Sequence, residues 1–293
     1  MTHQLIIGNR LYFSWSLAAW LMVERFGLSD QVKTTVLYPA SEDGVAALMT
    51  DYAPARTLPT MITAGGAILS DSMAIAEELA SLHPNAGLWP AAPLARGTAR
   101  TLANEMHSSF RALRSDWPVN LHRSYAPIIP SPAVAAELDR LEEIWTHARR
   151  VTAQDTPWLC GDYSIADAIF APMAVRLANY GFDTRPTTKA YVAAHLADPA
   201  LRRWRAMGLA ANQTSDVFEY GGAARPWPGP APLAAAPVTD GTAENATCPY
   251  SGDPVTHLLR IDGRIFGFCN AFCRDKTVAD PAAWPAFMAL YQS

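Results

Sequence analysis

Apolar and polar positions follow two different periods along the chain, and the change of period divides it. Gln4-Leu-Ile-Ile-Gly8 reads as a short buried strand. Asn9 to Phe13 leads into a helix with Leu17, Trp20, Leu21 and Val23 on its apolar face. Val32 to Tyr38 is rich in β-branched residues and predicts a second strand, and Glu42 to Thr50 a short helix. Leu58-Pro-Thr-Met-Ile-Thr63, the turn Ala64-Gly65-Gly66 and Ala67-Ile68-Leu69 form a hairpin signature. Ser70 or Asp71 then caps a helix through Met73, Ile75, Ala76, Leu79 and Leu82. The order βαβ followed by ββα specifies an α/β unit of about 80 residues.

After Pro84 the period becomes helical. Residues 94–115, 134–152, 164–180, 187–196 and 198–210 all read as helices, with no strand signal between them. Ser164-Ile165-Ala166-Asp167 resembles a capping box with Asp in place of Glu or Gln. Pro226, Pro228, Pro230, Pro232 and Pro237, set among Ala and Gly, mark a linker or strap. Beyond it, Leu258 to Ile261 and Arg264 to Phe268 flank Asp262-Gly263, a two-residue hairpin signal. The expected division is therefore 1–84 α/β, 85–210 all-helical, 211–247 linker and 248–293 a small module.

Composition narrows the function classes. The chain has 293 residues, 50% of them hydrophobic, and a net charge of −4. No basic stripe offers a nucleic-acid surface. The N-terminus lacks the pattern of a secretory signal, and no apolar run reaches the length of a membrane span, so a cytoplasmic protein without membrane contact is expected. Without a secretory signal, the four cysteines are not read as disulfides. Three of them, Cys248, Cys269 and Cys273, fall close together in the last segment and point to a metal or redox site.

Four motifs, in this order and spacing, carry a resemblance to the glutathione S-transferase family over roughly residues 4–210. They are Phe13-Ser14-Trp15-Ser16 after the first strand, Leu58-Pro59 before the hairpin, Ser70-Asp71-Ser72 opening the third helix, and Ser164-Ile165-Ala166-Asp167-Ala168. The chain is most similar to bacterial members of the zeta, or maleylacetoacetate isomerase, type. The resemblance implies a thioredoxin-like N-terminal domain, an all-α domain, a homodimer, and glutathione as co-substrate with a small electrophile as partner.

On that resemblance, Leu58 and Pro59 meet the backbone of glutathione, Asp71 accepts from its amine, and Ser72 holds a carboxylate at a helix N-terminus. Ser14 is the expected donor to the thiolate, with Ser16 and Tyr12 as runners-up. Phe13 departs from the family, which often has serine there. Each of these serines also suits a plain helix cap, and Tyr12 a place in the core. His107, Arg111 and Arg114 fall at i, i+4 and i+7, a cationic helix face for an anionic second substrate or, more simply, a solvated face or one salt-bridged to the neighbouring domain.

Cys248-Pro-Tyr-Ser251 has the spacing of a glutaredoxin motif, but a linker precedes it and Gly252-Asp253-Pro254 follows, which breaks any helix there. All three cysteines together read better: a turn, a hairpin and a helix start can gather three thiolates around zinc. The segment is similar to the small YHS or TRASH metal-binding modules. Ser251 stands where that pattern has a second cysteine, leaving His257, Asp253 or water for the fourth position. The functional expectation is a glutathione transferase or glutathione-dependent isomerase. The alternative is a glutathione-binding regulatory protein without turnover, whose metal module docks a partner. Redox work by the C-terminal cysteines is a third reading.

Overall fold

The computed structural model describes residues 2–39, 44–152 and 155–293. In chain order the elements are β1 (His3–Ile7), α1 (Ser14–Glu24), β2 (Val32–Val36), α2 (Gly44–Leu48), β3 (Thr60–Ile62), β4 (Ile68–Leu69) and α3 (Ser72–Leu82). There follow α4 (Pro93–Ser108), α5 (Arg111–Asp116), β5 (Ser124–Tyr125), α6 (Pro132–Thr152), α7 (Ile165–Asn179), α8 (Pro186–Ala197) and α9 (Pro199–Ala211). The remainder is β6 (Ala224–Arg225), β7 (Ala235–Val238), β8 (His257–Ile261), β9 (Arg264–Phe268), α10 (Ala271–Ala279) and α11 (Pro285–Tyr291). Of the helix expected over Glu42 to Thr50, Glu42 and Asp43 lie outside the described residues.

The chain forms two compact units. One comprises Met1–Leu196 and Ser215–Pro228, the other Ala197–Thr214 and Gly229–Ser293. In the first, the sheet has the order β2-β1-β3-β4. β1 runs parallel to β2, pairing His3 with Val32 and Ile7 with Val36. It runs antiparallel to β3, and β3 to β4. This is the α/β unit expected from the strand order, in the thioredoxin-like arrangement that the resemblance implied. Leu5, Ile6 and Ile7 are fully buried, so β1 is the central, two-sided strand of the sheet.

α1 is not amphipathic. Every residue from Ser16 to Val23 is buried, because the helix packs on α7, whose 15 residues are all buried too. Asp167 fixes the start of α7. Its Oδ2 accepts from the backbone N–H and hydroxyl of Ser164, and its Oδ1 from the Leu159 N–H and the Tyr191 hydroxyl. The capping residue thus also ties α7 to α8 and to the loop before it.

The helix expected over 94–115 breaks in two. Ser109 is extended and Phe110 adopts φ 58°, a left-handed backbone that lets its ring reach a buried position. No glycine or proline marks the break, and burial of Phe110 outweighs local preference.

In the second unit, β7, β8 and β9 form an antiparallel sheet with α10 packed against it. The segment read as linker therefore supplies an edge strand, where Pro237 is tolerated opposite Leu259. α9 packs on α10, and Ala206 joins Leu259, Ile261, Phe266, Phe268, Trp284 and Phe287 in one apolar core. A segment as short as 248–293 buries too little by itself, and the added helix and strand enlarge its core.

Candidate functional site

The N-termini of α1 and α3 carry the expected glutathione-site residues. Ser14 is the first residue of α1, whose N-cap is Phe13. A phenylalanine has no side-chain acceptor, so the first N–H groups of this helix lack a side-chain cap. Among the described residues the Ser14 hydroxyl makes no hydrogen bond. Ser16 differs: it is fully buried, and its Oγ accepts from the Gly8 N–H at 3.1 Å. Gly8 is held free of a side chain by the Phe13 ring, which lies 2.3 Å from where a Cβ would stand.

Asp71 caps α3, its Oδ1 accepting from the N–H groups of Met73 and Ala74 at 2.8 and 3.0 Å. Its Oδ2 lies 2.8 Å from His107 Nε2 on α4. The His107 ring stands 5.3 Å from that of Trp15, and the Arg114 guanidinium lies 4.9 Å from the Trp15 ring centre. A chain of contacts thus joins the two helix N-termini: Trp15, His107, Asp71. Ser72 is buried at the first position of α3, and its hydroxyl is without a partner among the described residues. The Leu58-Pro59 peptide bond is cis, as is Ala53-Pro54.

The expected cationic face is rearranged by the break at Ser109–Phe110. His107 lies in the last turn of α4, while Arg111 and Arg114 belong to α5. Arg111 is exposed. Arg114 donates to the carbonyls of His107 and Ser109, both at 3.3 Å. Burial and the like charge of Arg111 lower its pKa, against the pull of Glu137.

Tyr12 is committed elsewhere. Its hydroxyl donates to Glu219 Oε1 at 3.1 Å and accepts from the Ser215 N–H at 3.3 Å. Burial pushes the phenol up to about 12, opposed by Ser215 and reinforced by Glu219. Glu219 also accepts from Tyr125 at 2.8 Å and Asn120 at 3.0 Å, and lies 3.1 Å from His122 Nδ1. Burial disfavours its charge, but the bonds from His122, Tyr125, Tyr12 and Asn120 outweigh it and hold the carboxyl below its usual range. Phe218 stacks on Tyr12 with ring centres 5.1 Å apart and meets the Phe13 ring edge-on at 5.9 Å. Sequence reasoning placed residues 215–220 in the Pro/Ala-rich linker 211–247. Their alternation of aromatic and acidic side chains was the signal for a strap laid beside the Phe13-Ser14 turn.

In the second unit, the Sγ atoms of Cys248, Cys269 and Cys273 all lie within 4.8 Å of one another. Cys248 opens a turn closed by the Gly252 N–H on its own carbonyl, Cys269 follows β9, and Cys273 lies in the first turn of α10. The Cys269–Cys273 sulfur separation is 3.9 Å. A tetrahedral ion with metal–sulfur bonds near 2.3 Å needs sulfurs about 3.8 Å apart, a spacing that the Cys269–Cys273 pair has. Burial disfavours the Cys248 thiolate, but the N–H groups of Cys269, Tyr250 and Ser251 and the Cys269 side chain bring its pKa down to about 7. His257 is not part of the cluster; its Nδ1 meets Thr256 Oγ1 at 2.9 Å. Asp253 is not part of it either. Cys160, in the first unit, is buried, and burial lifts its thiol to about 12.

Comparison with known proteins bears on the fold. Residues 13–82 match the family described as glutathione S-transferase, N-terminal domain. No curated protein matches the chain. A glutathione transferase homologue from Burkholderia gl BGR1, solved with bound glutathione, superposes with a TM-score of 0.52 at 22% identity, covering 71% of this chain and 99% of that one. A β-etherase from Sphingobium sp. strain SYK-6 gives 0.52 at 17% identity, covering 70% and 98%. A glutathione transferase from Methylococcus capsulatus gives 0.51 at 18%, covering 71% and 98%. These likenesses establish the fold of glutathione transferases.

Proposed function

We propose that this chain, whose residues 13–82 form a glutathione S-transferase N-terminal domain, binds glutathione in its first unit and activates the thiol for conjugation to, or isomerisation of, a small electrophile. The observation that carries the reading is the Ser14 hydroxyl, without a partner at a helix N-terminus that no side chain caps. A hydroxyl donor and the positive end of a helix both favour a thiolate over a thiol. The Ser72 hydroxyl and the N-terminus of α3 suit a ligand carboxylate, and Asp71, oriented by His107, suits an amine. Holding the thiolate beside the electrophile supplies the rest of the rate enhancement.

His107 and Arg114, packed around Trp15, favour an anionic, planar electrophile; Arg111 adds charge from the exposed side. The reading includes a cytoplasmic homodimer, which rests on the family resemblance. It also includes zinc at Cys248, Cys269 and Cys273, which elemental analysis of the purified protein would detect.

Ser14→Ala is expected to lower kcat/KM for a model aryl halide about a hundredfold, with glutathione affinity little changed. Tyr12→Phe is expected to leave the reaction in place, because that hydroxyl is held by Glu219 and Ser215. The opposite pattern would contradict the role of Ser14. Binding without turnover in wild-type protein, across a broad electrophile panel, would favour the regulatory alternative.

A further inference from the structure

We propose that the metal held by the three cysteines has an exchangeable fourth position at Ser251, and that a free small-molecule thiol completes its coordination there. The proposal rests on the reading of this cluster as a metal site. It follows from which corners of the tetrahedron the chain fills.

Three corners are sulfur. Against them stands Ser251, whose Oγ lies 3.3 Å from Cys269 Sγ. An oxygen and a sulfur on one tetrahedral zinc would stand about 3.5 Å apart, and this contact is close to that spacing. A neutral hydroxyl is nevertheless a weak donor, and zinc sites draw on Cys, His and carboxylates. None of those stronger donors joins the cluster among the described residues besides the three cysteines. Ser251 is also turned to other work, accepting from the Asp253 N–H at 3.3 Å.

Access differs between the corners as well. Cys248 is 2% exposed and belongs to the apolar core of the unit, whereas Ser251, Gly252 and Asp253 are exposed. An incoming ligand would therefore reach the metal past Ser251. Asn270 holds the other side in place: its Nδ2 donates to Cys269 Sγ at 3.3 Å, and its Oδ1 accepts from the Cys273 N–H at 2.8 Å. The three sulfurs are thus held together, with exposed Ser251 beside them.

Charge favours a thiolate as the added ligand more than its own sign suggests. Three thiolates on a divalent ion leave one negative charge, and a fourth thiolate makes two. Lys276 stands one turn beyond Cys273 on α10. Its ammonium is held over the rings of Tyr250 at 3.8 Å and Trp284 at 4.2 Å. The step is a ligand exchange: the metal–oxygen contact at Ser251, or to a water in its place, breaks and a metal–sulfur bond forms. The incoming thiol releases its proton to solvent, and no oxidation state changes.

The test uses the full chain, reduced with a non-thiol phosphine, loaded anaerobically with cobalt(II) and followed by absorption. Reduced glutathione is expected to raise the sulfur-to-cobalt charge-transfer band by about a third, as three metal–sulfur bonds become four. S-methylglutathione has no free thiol and is expected to leave the band unchanged. Ser251→Cys is expected to start at the higher intensity and to ignore glutathione. Cobalt uptake with a band that glutathione does not alter would overturn the open corner while leaving the metal site standing. An equal response to S-methylglutathione would overturn it as well. Failure to take up cobalt would overturn the metal site and the exchange together.

Discussion

Asp167→Ala will cost the first unit about 4 kcal/mol of stability, the largest loss expected from any single change in it. The carboxylate is fully buried and receives four bonds: two from Ser164, one from the Leu159 N–H and one from the Tyr191 hydroxyl. Alanine leaves all four donors without an acceptor in a place water does not reach. It also removes the cap of α7, the helix on which α1 packs, so Ser14 loses its support. Burial raises the Asp167 pKa even against those bonds, which shows how closed the site is. Urea unfolding followed by far-UV circular dichroism reads the effect. A loss under about 1 kcal/mol would place Asp167 outside the framework of the fold.

The second large effect is a loss of stability in mild acid that belongs to His195. The imidazole is 1% exposed and surrounded by the rings of Tyr191, Trp158 and Tyr163 at 4.5, 5.1 and 6.3 Å. Arg149 lies over Tyr191, and Arg25 over Tyr163. Burial first, then the charges of Arg25 and Arg149, push the histidine down to about 3 from 6.5. A depressed folded-state pKa means that the unfolded chain takes up the proton first. The contribution is therefore whole above pH 6.5 and drains away as the pH falls toward 3. Between about pH 7.5 and about pH 5 the loss is about 2 kcal/mol. His3, also shifted down by burial, adds a loss of the same sign. His195→Phe keeps a ring in the cluster and is expected to flatten most of that slope. A wild-type stability level between these pH values would contradict the buried neutral histidine.

Much of the fold could be read from the sequence because its signals are local. β-Branched runs, the Gly65-Gly66 turn and the cap at Asp71 are properties of a few adjacent residues, and the structure has the strands, turn and helix there. What escaped depends on distant partners. α1 looked amphipathic because its second buried face is defined only by α7, more than a hundred residues on. The break at Phe110 is driven by burial, and the edge strand β7 by pairing with β8, neither of which leaves a local mark. The same divide holds at the site. Ser14, Asp71 and Ser72 were proposed from short motifs, and the structure puts them at the starts of α1 and α3. Glu219, which occupies Tyr12, arrives from a segment some two hundred residues away. For the cysteine cluster, spacing alone identified the three sulfurs, and the geometry removed His257 and Asp253 as neighbours.

The central claim is that the N-termini of α1 and α3 form a glutathione site in the first unit. Titration calorimetry of wild-type protein and Ser72→Ala with glutathione tests it most directly. The account predicts saturable binding by the wild type and an affinity about tenfold weaker in the variant, as one hydroxyl bond to a carboxylate is lost. No saturable heat with the wild type, or equal affinity in the two proteins, would contradict it.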